Sequence, residues 1–310
     1  MESHIRIGTR KSPLAQWQAQ WVADQLEMSG MSTELVLMDT KGDRQLNVGI
    51  PEIGSKGVFT EDLEISLAAG EIDIAVHSAK DMPSKLPEGF ELVAFTAREN
   101  AQDVLISEVA NLSLDRCNLV GTSSTRRVAL LAHHYPNVQT APVRGNLQTR
   151  IKKMQEGPMD ALILAYAGVV RMGLQHLIQQ QLPLDQFVPA VGQGSLAIEV
   201  HSQINRHKKT MISDTLTDAS SSYCVEAERA FLETLSGGCS IPAFAHATLE
   251  GQILNIQGGI ISLDGKQKIE FTFHGGIDDR QRLGAQLAEK VLKAGGDEIL
   301  SEIKRQLKID

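Results

Sequence analysis

The sequence predicts an α/β protein in which two doubly wound domains precede a smaller α+β domain. Three observations carry this. Strand-like and helix-like segments alternate over the first two hundred residues, the alternation restarts near residue 118, and the pattern changes near residue 215. At 310 residues the chain is also too long for one core, since single cores stop growing near ~250–300 residues.

The elements follow in order. "HIRIG" reads as a short strand, and Ser12 with Pro13 makes an N-cap and first-turn pair. Leu14, Trp17, Trp21, Val22 and Leu26 recur after it at helical spacing, which predicts a helix. "TELVLMD" is a strand, "VFTEDLEISLAAG" a helix closed by Gly70, and "IDIAVHS" a buried strand; "ELVAFTA" and "DVLIS" are two more. The pattern then restarts. "NLVG" leads into a helix from Arg126 to about His134, "VQTAPV" into a helix over 146–156, and "DALILAYAG" into helical turns near 167–180. "SLAIEV" at 195–200 is one further strand. The tail begins with a long helix, "SSYCVEAERAFLETLSGG", followed by strands near 243–249, 252–261 and 267–274 and then by helices.

Composition narrows the function classes. Hydrophobic residues make up 42% and charged residues 22%, as in a soluble globular protein, and aromatics are only 4%, so aliphatic side chains fill the cores. The start has no apolar h-region and no apolar run reaches 18 residues, so a cytoplasmic protein without a membrane partner is expected. A net charge of −8 argues against nucleic-acid binding. Cys117, Cys224 and Cys239 form no disulfide framework, and neither they nor the nine histidines show metal-ligand spacing.

Against that acidic background the local basic clusters are informative. "GTRKSP" (8–13), "HSAKDMP" (77–83), "GTSSTRR" (121–127) and "VRGNLQTR" (143–150) each lie just past the C-terminal end of an expected strand. Open α/β sheets bind ligands at that edge, where helix N-termini add free N–H groups and partial positive charge. Arg10, Lys80, Arg126, Arg127, Arg144 and Arg150 could converge there, with Lys11, Lys56 and Arg171 nearby. One such loop would be a solvated surface; four at equivalent places point to a small polyanion. Arginine forks suit carboxylates, and no G-x-x-x-x-G-K-[ST] phosphate loop occurs. Asp81 is a carboxylate among cations. It is either a structural partner of Lys80 or a group that stabilises positive charge and moves a proton.

"VGQGSLA" (191–197) matches a dinucleotide fingerprint, but its glycines precede a strand, so it reads as a crossover returning to the first sheet. His77, at the end of an apolar strand, reads as a satisfied core-edge histidine. "LSGGCSIP" sets Cys239 after two glycines and before a proline. It is either a packed apolar side chain or a nucleophile shown on a tight turn toward the cationic cleft.

"RIGTRKSPLAQWQA", "GSKGVFTEDLE", "IDIAVHSAKDMP", "VGTSSTRR", "VRGNLQTR", "PAVGQGSLAIE" and "GGCSIP" together resemble the porphobilinogen deaminase (hydroxymethylbilane synthase) family, in order from residue 5 to about 245. The resemblance implies two periplasmic-binding-protein-like domains and a third: 1–96 with 194–213, 97–193, and 214–310. It implies a transferase of tetrapyrrole (haem) biosynthesis that joins four porphobilinogen molecules head to tail, releases ammonia at each step, and acts as a monomer. It further implies a dipyrromethane cofactor in thioether linkage to Cys239. Asp81 is then the catalytic carboxylate, bonding pyrrole N–H groups and stabilising the cation left by deamination. Ser78, Lys80, Asp81, Thr122, Ser124, Arg126, Arg127, Arg144 and Gly145 match cofactor contacts. Arg10, Ser12, Arg150 and Arg171 match substrate and growing-chain contacts, with Lys56 and Phe59 on a covering loop.

Ser55, "RENAQD" (98–103) and Thr125 depart from the family pattern without removing a catalytic group; they bear on loop and hinge mobility. Two rival readings remain on the residues alone. A non-catalytic anion-binding protein would need neither Asp81 nor an exposed Cys239, and a cysteine hydrolase would need a partner histidine, of which none stands out.

Overall fold

The structure, a computed structural model, describes residues 4–40, 60–236 and 241–308. Lys56, Phe59, Ser55 and Cys239 lie outside the described residues. Two five-stranded sheets and one three-stranded sheet organise the chain.

The first sheet runs β2-β1-β3-β10-β4, built from β1 (His4–Arg10), β2 (Ser32–Met38), β3 (Ile74–Ser78), β4 (Phe90–Phe95) and β10 (Leu196–His201). The second runs β7-β6-β8-β5-β9, from β5 (Asp103–Ile106), β6 (Leu119–Gly121), β7 (Gln139–Ala141), β8 (Ala161–Ala165) and β9 (Ile178–Gln181). Both have one plan. Three parallel strands are followed by one antiparallel strand that arrives from the other sheet: β10 lies antiparallel between β3 and β4, and β5 between β8 and β9. The doubly wound pair expected from the alternation is therefore present, and "VGQGSLA" is the return crossover.

Local chemistry explains the helices that frame the sheets. Ser12 caps α1 (Pro13–Met28) by accepting from the Ala15 N–H at 3.4 Å, with Pro13 at the first position. Helix α1 buries Ala19, Val22, Ala23 and Leu26 against Ile5, Ile7 and Ile74, where each large aliphatic side chain contributes about 1.5–3 kcal/mol. The apolar face is thus Ala15–Ala19–Val22–Leu26, and Trp17 stays 38% exposed instead of entering the core. α2 (Glu61–Ala68) precedes β3; α3 (Thr125–His134) and α4 (Leu147–Gln155) follow β6 and β7, capped by Ser124 and Asn146. α5 (Tyr166–Arg171) follows β8. His77 is buried and bonded to Glu199 at 3.0 Å, a satisfied core histidine as expected.

Two elements escape the sequence reading. β9 lies where helical turns are expected; its "IQQQ" pairs only with β5 at the sheet edge, so no alternation marks it. α6 (Arg206–Leu216) carries only Ile212 and Leu216 as buried residues among polar ones, although Asn205 caps it through the His207 and Lys208 N–H groups.

The third sheet, β11 (Ala243–Glu250), β12 (Ile253–Ile261) and β13 (Lys268–Gly276), is an antiparallel meander. It packs with α7 (Ala219–Thr234), α8 (Arg280–Val291) and α9 (Asp297–Leu307) around Phe231, Leu254, Ile256, Leu287 and Val291. Fully buried Glu228 on α7 ties this body to both crossovers. Its carboxylate accepts from Arg98 Nη1 and Nη2 at 2.7 and 2.8 Å, from the Gly192 N–H at 2.8 Å and from the Ala247 N–H at 2.7 Å. A buried carboxylate is tolerable only when its lone pairs are filled in this way.

Candidate active site

The C-terminal ends of the parallel strands in both sheets border one cleft. Leu14, Gln18, Ser78 and Lys80 form one wall and Ala167, Gly168 and Arg171 the other, with Gly194 and Ser195 between them. The antiparallel insertions explain that floor. Because β10 and β5 run against their neighbours, their first residues arrive where the parallel strands end: Leu196 lies opposite Ser78, and Asp103 opposite Ala165. The two crossovers also touch. Gly194, at φ +101°, would place a Cβ 2.3 Å from the Glu99 carbonyl oxygen, so no larger residue fits.

The four predicted loops supply the charge. After β3 a single turn, Ala79–Asp81, presents Lys80 and Asp81. Lys80 is half-buried and gives a hydrogen bond to Gln193 Oε1 at 3.3 Å. Burial, reinforced by Arg127, pushes its ammonium pKa down to about 8, against the opposing pull of Asp81 and Asp103. Burial and Arg127 also lower Arg150, which Asp81 partly offsets. Lys80, Asp81, Arg126, Arg127 and Arg150 therefore form one electrostatic cluster. Asp81 is exposed, and among the described residues no hydrogen bond or ion pair holds its carboxylate. A structural partner of Lys80 would show such a contact.

Asp103, which the sequence reading passes over, lies beneath the Arg126–Arg127 pair at the start of β5. It is fully buried; Oδ2 accepts from Arg126 Nη2 and Oδ1 from Arg127 Nη2, each at 2.7 Å, and Gln193 Nε2 adds a bond at 2.9 Å. Burial alone would raise this acid, but the two guanidiniums outweigh it and hold it far below the usual carboxylate range. The remaining Nη1 groups of Arg126 and Arg127 donate to the carbonyls of Val188 (2.8 Å) and Ile163 (2.9 Å), while Arg127 Nε is buried without a partner among the described residues. One signal for Asp103 was legible: an acid opening the wholly buried strand "DVLI" must be paired.

Asp103→Asn would leave two buried guanidiniums facing a neutral amide. We expect a loss of roughly 3–5 kcal/mol in stability, read as a lower denaturant midpoint at an unchanged slope. An unaltered midpoint would contradict the pairing.

The other predicted residues are placed as follows. Ser78 Oγ accepts from Gln18 Nε2 at 2.8 Å, and Thr122 Oγ1 from the Ser124 N–H at 3.3 Å. Ser12 and Ser124 cap α1 and α3, at the helix ends that face the cleft. Arg10 ends β1, and Arg144 lies beside Gly145, whose φ of +112° turns the chain into α4. Arg150 Nε donates to the Gly145 carbonyl at 2.8 Å. Arg171 stands apart from the Lys80–Arg127 cluster: its Nη2 donates to the Gly194 carbonyl at 2.6 Å, and its nearest influential acid is Glu99. Cys117 and Cys224 are buried, and burial pushes both thiols up to about 11, so neither offers a thiolate. Among the described residues no three His, Cys, Asp or Glu side chains form a metal site, and no helix is long and apolar enough to cross a membrane.

Comparisons with known proteins agree along the whole chain. Residues 5–209 match the family model described as porphobilinogen deaminase, dipyromethane cofactor binding domain, and residues 222–293 match porphobilinogen deaminase, C-terminal domain. The porphobilinogen deaminase of Desulfosudis oleivorans is 52% identical over 305 residues, covering 97% of this chain and 98% of that one. That of Cytophaga hutchinsonii is 49% identical over 313 residues, covering 99% of each. Among solved structures, the VFT2 domain of Bordetella pertussis BvgS superposes with a TM-score of 0.43 at 14% identity, over 71% of this chain and 89% of that domain. The chain belongs to the porphobilinogen deaminase family.

Proposed function

We infer that this protein is a hydroxymethylbilane synthase: it condenses four porphobilinogen molecules head to tail into hydroxymethylbilane, releasing ammonia at each step, in tetrapyrrole biosynthesis. The observation that carries this reading is an exposed carboxylate, Asp81, that is unpaired among the described residues and stands within a cluster of cations supplied by both sheets. We assign the protein to the cytoplasm as a monomer, with neither nucleic acid nor membrane as a partner. Its three domains are read as 1–96 with 194–213, 97–193, and 214–310.

The donor set fits a covalently held dipyrromethane. Four carboxylates need several cations, and Lys80, Arg126, Arg127 and Arg150 exceed what Asp81 and Asp103 neutralise, with Arg144 beside Gly145 as a further contact. The buried Arg127 Nε–H has no acceptor among the described residues and is a natural donor to a bound oxygen. Ser78, Thr122, Ser124 and Gly145 complete the cradle at the two helix N-termini, and Cys239 is the attachment point. Bound there, the group supplies the electron-rich pyrrole carbon from which the chain is extended.

The residues of this chain do the rest. Each condensation requires the amine of the incoming porphobilinogen to leave as ammonia and a pyrrole α-proton to be removed afterwards. Asp81 is the acceptor for pyrrole N–H groups, the counter-charge as the amine departs, and the proton acceptor at the end. Lys80 and Arg150 keep substrate carboxylates off Asp81 by pairing with them. Arg10, Ser12 and Arg171 receive carboxylates of the incoming ring and the growing chain, and Lys56 and Phe59 cover the cleft.

Purified protein supplied with porphobilinogen alone tests the reading. One ammonia should appear per porphobilinogen consumed, with a linear four-ring product. Binding of porphobilinogen without ammonia release would favour an anion-binding protein instead.

A further inference from the structure

The cleft is bridged by a contact that the reaction, as described, does not use. Helix α1 belongs to the first sheet and α5 to the second, and they meet through Leu14 with Gly168 and Trp17 with Arg171, both at i, i+3 spacing. A Cβ on Gly168 would lie 3.6 Å from Leu14 Cδ2, so the helices are already in close approach. The Arg171 guanidinium carbon sits 5.7 Å from the centroid of the Trp17 ring, within cation–π range. Its Nη2 is tied to the Gly194 carbonyl of the return crossover. Among the described residues no carboxylate lies within ion-pair distance of Arg171; Glu99 acts on it only at longer range. Trp17 is 38% exposed on a helix whose apolar face lies elsewhere, so core packing does not account for it.

We propose that Trp17 is a positioning residue that parks Arg171 at the mouth of the cleft, forming a latch between the two sheets that opens when a substrate carboxylate takes the guanidinium. This rests on the reading of the protein as a synthase of a growing polycarboxylate chain. The energetic order favours the hand-over. An exposed cation–π contact is weaker than a charge-assisted hydrogen bond to a carboxylate, so an arriving acetate or propionate displaces the ring. The bond to Gly194 survives the exchange and keeps Arg171 aimed into the cleft. Without the ring, the long Arg171 side chain samples more rotamers before substrate arrives, and each encounter must order it again.

The test uses fully loaded enzyme, whose two tryptophans are Trp17 and Trp21. In Trp21→Phe protein the emission comes from Trp17 alone. It should change when porphobilinogen is added, and should not respond once Arg171→Leu is also present. In steady state, Trp17→Leu should raise KM about 2- to 5-fold with kcat nearly unchanged, and Trp17→Phe should recover part of the loss. Melting temperature and denatured mass should match the parent. A Trp17 emission that ignores porphobilinogen, or a KM equal in Leu, Phe and parent proteins, would overturn the latch, as would a parallel fall in kcat and melting temperature. If the parent releases no ammonia, the synthase reading fails; if it does and the latch signals are absent, only the latch fails.

Discussion

Asp81→Asn should retain its covalent pyrroles and bind porphobilinogen, yet release ammonia roughly 10⁴- to 10⁵-fold more slowly than the parent. The amide keeps the size of the side chain and can accept one pyrrole N–H, so binding geometry survives. It lacks the negative charge opposite the cation formed as the amine leaves, a loss typically worth about 10²–10³ in rate. Losing the proton acceptor removes about another 10². Because Asp81 is exposed and without a protein partner among the described residues, the exchange should leave the melting temperature unchanged. Asp81→Glu restores charge and basicity but displaces them by one methylene, so a small residual rate is expected. Single-turnover ammonia release from loaded enzyme measures both variants. A rate near the parent's for Asp81→Asn would remove Asp81 from the chemistry.

Cys239→Ser should fold with the parent's stability but carry no covalent pyrrole and show no turnover. A serine hydroxyl is a poor nucleophile toward the aminomethyl carbon of porphobilinogen, whereas a thiolate is a good one. The other two cysteines cannot substitute, since both are buried with thiol pKa values pushed up to about 11. Cys117→Ser and Cys224→Ser should therefore stay loaded. An aldehyde colour test for pyrroles on the denatured chains separates the three variants, and a positive Cys239→Ser chain would refute the attachment.

The legible and illegible parts of the sequence divide along physical lines. The loops that end parallel strands were legible because their polar runs break an apolar pattern abruptly, which is how Lys80, Asp81, Arg126, Arg127 and Arg150 came to be grouped. The helix cap Ser12 was legible because capping is a local event. For Asp103 the need of a partner was legible but the partners were not, because they depend on β5 running antiparallel into the second sheet, which brings its first residue beneath two arginines more than twenty positions away. Glu228 was hidden for the same reason: it sits mid-helix, while its four donors come from three separate segments. The helix that carries Trp17 was legible from its spacing, but which face packs was not, because the small residues Ala15 and Ala19 take the close packing against the sheet. The strand β9 and helix α6 lie at edges where few side chains are buried, so periodicity has little to act on.

The central claim is that this chain carries its own primer, made from its substrate and bound through sulfur. The mass of the purified protein after acid unfolding tests it most directly. Each covalent addition forms one bond to the aminomethyl carbon and expels ammonia. The account therefore predicts a chain heavier than the 33.8 kDa polypeptide by two porphobilinogen units less two ammonia molecules. A catalytically competent preparation whose chains show the bare polypeptide mass after acid unfolding would contradict it.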